Sequence, residues 1–308
     1  MAYTLLQLVD RVAAQIGLAQ PNAVIGSTDA QVNQLQALAE QIGQDLICDF
    51  EWQRLSKPYY FTATPAVAGT ANVSSATNAL TGFNSVAGIT LGMVISGPGI
   101  APYAEVSAVT TSSKSVTMTY PATLTTASAS LNFSVQDYAL PSDYDRMVSD
   151  TNWDRTDHWR NLGSKSAQEW QWLQGGIISV GPRERYRIIG NKLRYFAAPS
   201  AALNLAYEYI SNAWIIPSGS STPSLTAFAA DGDTFVYPDS VMIHGLKYYW
   251  FESKGLDFSI HRERFEREVS RAKAQDVPVA SHSLAAQMLP ELVGPWSTPD
   301  GSWPQGSS

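Results

Sequence analysis

Between Thr64 and Gln136 the chain carries only two charged side chains, Glu105 and Lys114, in a background of Ser, Thr, Ala, Gly and Val. Within that stretch, short β-type runs alternate with turn signals. The runs are Ile89 to Leu91, Met93 to Ser96, Val106 to Thr110, Ser115 to Tyr120 and Leu131 to Val135, and Gly97-Pro98-Gly99 and Thr111-Ser112-Ser113 mark turns between them. Many short strands at regular spacing predict a small β-sandwich or barrel. The passages before and after are charge-bearing and resemble each other, so residues 64–136 read as a module inserted into something else.

The passage before it is helical. Thr4 with Gln7 makes a capping box, and Leu5, Leu8, Val9, Val12 and Ile16 recur at helical spacing up to Gly17. After a turn at Pro21, Asn22 and Gly26, a second helix starts near Thr28 and Asp29. It carries Val32, Leu35, Leu38, Ala39, Ile42, Leu46, Ile47 and Phe50 on one face, which predicts a helical hairpin with a wide apolar stripe. Cys48, the single cysteine, lies in this pattern and is expected to be a core thiol. One cysteine also excludes a disulfide framework or a zinc cluster within the chain. Ser56 to Thr62 reads as a strand leaving the helices.

The passage after the module is dense in Trp, Asp and Arg from Asp137 to Gly175. Trp153, Trp159, Trp170 and Trp172 offer large apolar area with a polar handle. Asp143, Asp145, Asp150, Asp154 and Asp157 are interleaved with Arg146, Arg155 and Arg160, so local pairing is expected. The stretch is read as a hub between helical layers. Ser166 and Glu169 form a second capping box, Gly190-Asn191 the turn of a hairpin, and Leu203 to Ile210 a further strand. Arg183, Arg185 and Arg187 alternate and line one strand face, with Glu184, Tyr186 and Ile188 on the other. This arginine row, with Trp153, Asp154 and Arg155, is the candidate subunit interface. Late helices begin at Pro238-Asp239, with Val241, Met242, Leu246, Tyr249 and Trp250 inward, and near Asp257, with Phe258, Phe265, Val269 and Ala272 inward. On the last helix Arg262–Glu266, Glu263–Arg267 and Arg264–Glu268 are spaced for i,i+4 pairs.

Net charge −7 argues against an extended basic face that grips nucleic acid. No window is apolar enough for a membrane span, and Asp10 and Arg11 interrupt the N-terminal apolar run, so a soluble protein from a reducing compartment is expected. No phosphate-cradling loop, nucleophile elbow or metal-ligand spacing is present; Asp231-Gly232-Asp233 reads as a turn rather than a calcium loop. No residue earns a catalytic role, and no cofactor or metal is expected. From residue 277 the chain is rich in Pro, Gly and Trp, and is expected to be an extended docking tail, with Pro278, Leu284, Met288, Leu289, Leu292, Trp296 and Trp303 as its contact residues. The expected organisation is α+β in four parts: 1–63, a helical hairpin and first strand; 64–136, the inserted module; 137–276, the rest of the core; and 277–308, the tail.

In this order the parts resemble the head-to-tail adaptor (connector) proteins of tailed bacteriophages, especially short-tailed ones. The resemblance covers residues 1–63 and 137–276. It rests on the hairpin ending in Asp49-Phe50-Glu51-Trp52, on Ala139 to Arg155 (ALPSDYDRMVSDTNWDR), Ser166 to Gly176 (SAQEWQWLQGG), Arg185 to Ser200, Leu205 to Trp214, and Asp231 to Ser259. The stretch Gly88 to Thr123 is similar to a β-module repeated in phage structural proteins. The resemblance implies a virion neck protein, made in the host cytoplasm, that assembles as a twelvefold ring beneath the portal protein and above a tail or nozzle protein. Its tail would dock on the portal, and double-stranded DNA would pass through its lumen without specific binding. With no residue fitted for catalysis, the chain is not expected to be an enzyme. Some members of the family are linked with peptidoglycan degradation, which keeps a carbohydrate-active or glycan-binding reading of the Trp/Asp hub or the β-module as the alternative.

Overall fold

Residues 3–175 and 184–276 are described by a computed structural model, and their fold is α+β, with helices N-terminal and late and several small antiparallel sheets. The helices are α1 (Leu5–Ile16), α2 (Ala30–Asp49), α3 (Ala167–Gln174), α4 (Asp239–Ser253) and α5 (Ser259–Asp276). Both capping boxes form as read: Thr4 with Gln7 opens α1, and Ser166 with Glu169 opens α3. Asp29 caps α2 by accepting the Gln31 amide at 2.8 Å. Each cap satisfies helix-end amides that would otherwise lack partners.

The chain divides into two compact units. Among the described residues, the first takes those up to Lys57, Ser142–Met147 and 209–276. Its centre is α4, against which α1, α2 and α5 all pack. The α1–α2 pair is therefore not a self-standing hairpin: each of its helices packs more extensively on α4 than on the other. Leu5, Leu8, Leu35, Ile42, Met242 and Leu246 are almost fully buried there. Each such side chain stabilises the fold by roughly 1.5–3 kcal/mol relative to exposure. Trp52 closes α2 by donating its indole N–H to the Leu46 carbonyl at 2.7 Å and packing edge-on to Tyr237. Arg146 donates to the carbonyls of Ile47 and Phe50, satisfying the open end of α2 from the Tyr144–Met147 strand.

Cys48 departs from expectation, because it is exposed. The buried face of α2 runs through Leu35, Ala39, Ile42, Gly43, Leu46 and Ile47. Position 48 falls in phase with the exposed residues 37, 41 and 44 instead. On α5, Arg262–Glu266 (2.7 Å) and Glu263–Arg267 (2.9 Å) pair as read. The expected Arg264–Glu268 pair is not made, because Glu268 is half-buried towards His244 of α4 while Arg264 stays exposed.

The second unit takes Pro58–Pro141 and Val148–Glu208. Two three-stranded antiparallel sheets make the expected module. One is Val67–Val73, Thr126–Ser134 and Val94–Ser96; the other is Ala79–Leu80, Ser115–Met118 and Val106–Thr110. Leu80, Val116, Leu131 and Phe133 are wholly buried in the core of this sandwich. Ile89 to Leu91, expected as a strand, is a turn: Gly88 and Gly92 on either side have φ of 81° and 80°, which ends β pairing. The strand Val67–Val73, weak in sequence because of Gly69 and three small neighbours, pairs along most of Thr126–Ser134. Outside the module, Arg185–Ile189 and Lys192–Phe196 form the hairpin about Gly190 and Asn191, at φ of 55° and 59°. Its third strand is Asp137–Ala139. The segment Asn204–Ser211 pairs elsewhere, with Trp153–Asp154.

Candidate functional site

The Trp/Asp-rich stretch is not a single hub. Residues 142–147 belong to the first unit and those from Val148 to the second. Its four tryptophans also separate. Trp170 is buried against Phe196 with Leu173, Trp172 is 63% exposed, and Trp153 and Trp159 are half-buried on opposite arms of a short antiparallel pair. The pairing of acids with arginines is local, as read: Arg146 with Asp145 and Arg160 with Asp150, at 2.7 and 2.8 Å.

What the second unit does assemble is an open cleft of about 650 Å³ around Trp153, Asp154 and Arg155. Two-residue strands at Trp153–Asp154 and Trp159–Arg160 place these residues, with Trp153 opposite Ala206 of the neighbouring strand. The tight turn between them is held by Asp154. Its carboxylate accepts the amides of Thr156 (2.8 Å) and Asp157 (3.4 Å), and His158 turns the chain at φ 59°. Asp150, on the rim, also has positive φ, at 62°. Asp and His tolerate this conformation better than most residues, at some local strain. Beneath the turn, the buried Asn152 side-chain oxygen accepts from Asn161 at 2.7 Å and from the Tyr195 hydroxyl at 3.0 Å.

The walls of the cleft combine aromatic faces with charge. Arg155 lies 5.0 Å above the ring of Tyr60, a cation–π contact, and Tyr60 is 59% exposed. Glu208 and His158 add further polar groups. Asp154 itself is 4% exposed. Burial raises its pKa, an effect the Thr156 and Asp157 amides only partly offset. Glu184 is pushed up to about 7 by burial, then by the charge of Asp154, with Arg185 opposing. Exposed Tyr60 and Arg155 with the half-buried Trp153 around a partly desolvated cleft are the composition that anchors protein–protein contacts, and the same aromatic faces can stack on a sugar ring.

Of the candidate interface residues, the structure brings Trp153, Asp154 and Arg155 together on this cleft. Arg185 and Arg187 are half-buried on the hairpin strand, with Tyr186 buried between them. Next to them Arg194 makes a two-pronged ion pair with Asp137 at 2.5 and 2.8 Å. Arg183 and the tail residues Pro278, Leu284, Met288, Leu289, Leu292, Trp296 and Trp303 lie outside the described residues. Tyr60 was missed in sequence, since its only signal is alternation within SKPYYFT. The turn at Asp231 and Asp233 uses its carboxylates on backbone amides: Asp231 accepts from Val24 and Ile25, and Asp233 from Ser218, Ala229 and Ala230. Among the described residues no group of three or more His, Cys, Asp or Glu could hold a metal ion, and no helix is long and apolar enough to cross a membrane. The sequence matches no protein-family model and no curated protein.

Proposed function

We propose that this chain is a virion structural protein, a ring-forming head-to-tail adaptor that joins portal to tail and lines part of the DNA conduit. One observation carries the reading. The adaptor-like segments before and after the insertion, although more than seventy residues apart in the chain, contribute to one helical unit. Lys57 pairs with Asp143 at 2.7 Å, Arg146 caps α2, and the Tyr3 amide donates to Asp239 at 3.1 Å. Such pairing across the intervening stretch is what a core with a module spliced into one of its loops makes. The cleft at Trp153 and Arg155 suits a contact between neighbouring subunits, since Trp, Tyr and Arg are the residues that dominate such interfaces. A net charge of −7 suits a conduit that must release its DNA.

The test is the mass of the purified full chain, alone and mixed with its portal protein, by light scattering. Conversion to a ring-sized complex in the presence of portal supports the adaptor. A chain that stays monomeric with portal at micromolar concentration overturns it. The variant Arg155→Glu should block conversion without lowering the melting temperature.

A second reading, glycan binding in the same cleft, is favoured by Tyr60 and Trp153 flanking carboxylates. It predicts saturable binding of cell-wall or capsular oligosaccharide that Trp153→Ala abolishes; a flat titration disposes of it.

A further inference from the structure

Arg264 stands exposed on α5 without the Glu268 partner its spacing predicts, and the register of α5 against α4 shows what it meets instead. Gly245 faces Phe265, where an added Cβ would come within 2.9 Å of the ring. Tyr248 stacks on Phe265 at 5.9 Å, and Phe251 lies 4.4 Å from His261. The helices therefore run antiparallel, with Lys247 level with Arg264, and His244 level with Glu268. α4 also packs against α1, anchored by the hydrogen bond of the Tyr3 amide to Asp239. About two turns further along both helices, Arg11 comes level with Lys247.

Arg11, Lys247 and Arg264 thus form a seam across three adjacent helices. Lys247 is held below the ordinary lysine range by burial first, then by Arg264 and Arg11, which marks each arginine as an electrostatic neighbour of the lysine. Among the described residues none of the three has a carboxylate ion-pair partner. His244 and His261 flank the seam and are kept towards neutral, chiefly by burial and then by Lys247; Glu268 and Asp257 are the carboxylates that act on them. Gathering three unpaired cations on one face of a chain with net charge −7 costs free energy through mutual repulsion. A polyanion would return it.

We propose that Arg11, Lys247 and Arg264 form a contact for the phosphodiester backbone of a nucleic acid, weak and without sequence preference. Packed helix axes lie roughly 8–10 Å apart, so a seam over α1, α4 and α5 spans several phosphates. A duplex carries a charge about every 1.7 Å of axis, so each cation finds a phosphate without fixed register. No exposed aromatic anchor lies in the seam among the described residues. Ile260, 60% exposed a turn before Arg264, is the kind of side chain an acidic protein would use, so that partner is the outcome the test must separate. The inference stands on the seam alone, whatever the oligomeric state.

The experiment is fluorescence anisotropy of a short labelled DNA duplex titrated with the full chain over a salt series. Three phosphate contacts give a log–log salt slope of about −2.7, or about forty-fold weaker binding between 50 and 200 mM salt. In Lys247→Gln/Arg264→Gln the slope should become shallower by about 2. Arg11→Lys, which keeps the charge, and Lys192→Gln, on the exposed hairpin of the second unit, should leave it unchanged. Melting curves equal to those of the parent chain show that the variants fold. The proposal is overturned if the parent chain shows no salt-dependent binding, if the double variant keeps the full slope, or if Lys192→Gln weakens binding as much. It is also overturned if polyglutamate competes as well as unlabelled duplex, which would assign the seam to an acidic polypeptide.

Discussion

Replacing Gly43 by Ala should destabilise this protein, although every local rule says the opposite. Gly43 lies inside α2, where Ala is favoured by about 1 kcal/mol. A Cβ at this position, however, would lie 2.1 Å from Cζ2, 2.3 Å from Cε2 and 2.5 Å from Cη2 of Trp214. The indole cannot step aside, because Trp214 is fully buried between Phe228, edge-on at 5.3 Å, and Tyr237 at 5.6 Å. Tyr237 is itself tied to α2 by donating its hydroxyl to the Gly43 carbonyl at 3.1 Å. Ordinary overpacking costs roughly 1–3 kcal/mol. An overlap with the ring itself belongs at or above the top of that range, so after subtracting the propensity gain a net loss of about 2 kcal/mol is expected. The assay is urea unfolding followed by helical circular dichroism, where the midpoint should fall with an unchanged slope. The double-mutant cycle with Trp214→Phe isolates the cause. In that background Gly43→Ala should be neutral or stabilising, giving a coupling of about 2 kcal/mol. A higher midpoint for Gly43→Ala in the parent chain, or the same loss in both backgrounds, would refute the reasoning.

Three further outcomes follow from the same structure. Asp143 accepts from Lys57 (2.7 Å), Tyr209 (2.8 Å) and Ser211 (2.7 Å). Burial alone would raise its pKa, but the Lys57, Ser211 and Tyr209 hydrogen bonds outweigh it and hold the carboxyl below the usual range. Its contribution is therefore complete above the unfolded value near 3.9 and is lost as pH falls through the lower folded value. Asp143→Asn should cost roughly 2 kcal/mol at pH 7, with a smaller loss at pH 3, read from urea midpoints. Glu184 has the opposite sign. With its pKa raised to about 7 by burial and then by Asp154, it holds a proton that the unfolded chain releases near 4.3, so stability falls as pH rises from there to about 7. Glu184→Gln should flatten that part of the profile; an unchanged slope removes the carboxyl from the account. Cys48, exposed on α2, should react fully with a thiol reagent in the native chain, and protection until denaturant is added would contradict its position.

Much of the fold was legible because it depends on local chemistry. The capping boxes at Thr4 and Ser166 act within four residues, and the Gly190-Asn191 turn admits only the backbone it needs, so each could be placed from sequence. The charge-poor run from Thr64 to Gln136 marked the β-module, although the turn at Ile89 to Leu91 and the Gly-containing strand Val67–Val73 were misjudged or missed. Short apolar runs do not distinguish a strand from a well-packed turn. The candidate cleft was only half legible. Trp153, Asp154 and Arg155 stood out by residue type, but Tyr60 and Glu208 join them through pairings with distant segments.

The sequence by itself determined the helices and their caps, the hairpin turn, and the existence of a charge-poor region of small antiparallel sheets, since period, capping and turn chemistry are properties of neighbouring residues. Only the tertiary structure decided that α4, rather than the α1–α2 pair, is the centre of the helical unit. It alone turned Cys48 outwards, set Gly43 under an indole, and left Arg264 level with Lys247 rather than paired with Glu268. Those outcomes depend on which helix faces which, and that is set by the burial of whole faces against each other rather than by any stretch of chain alone.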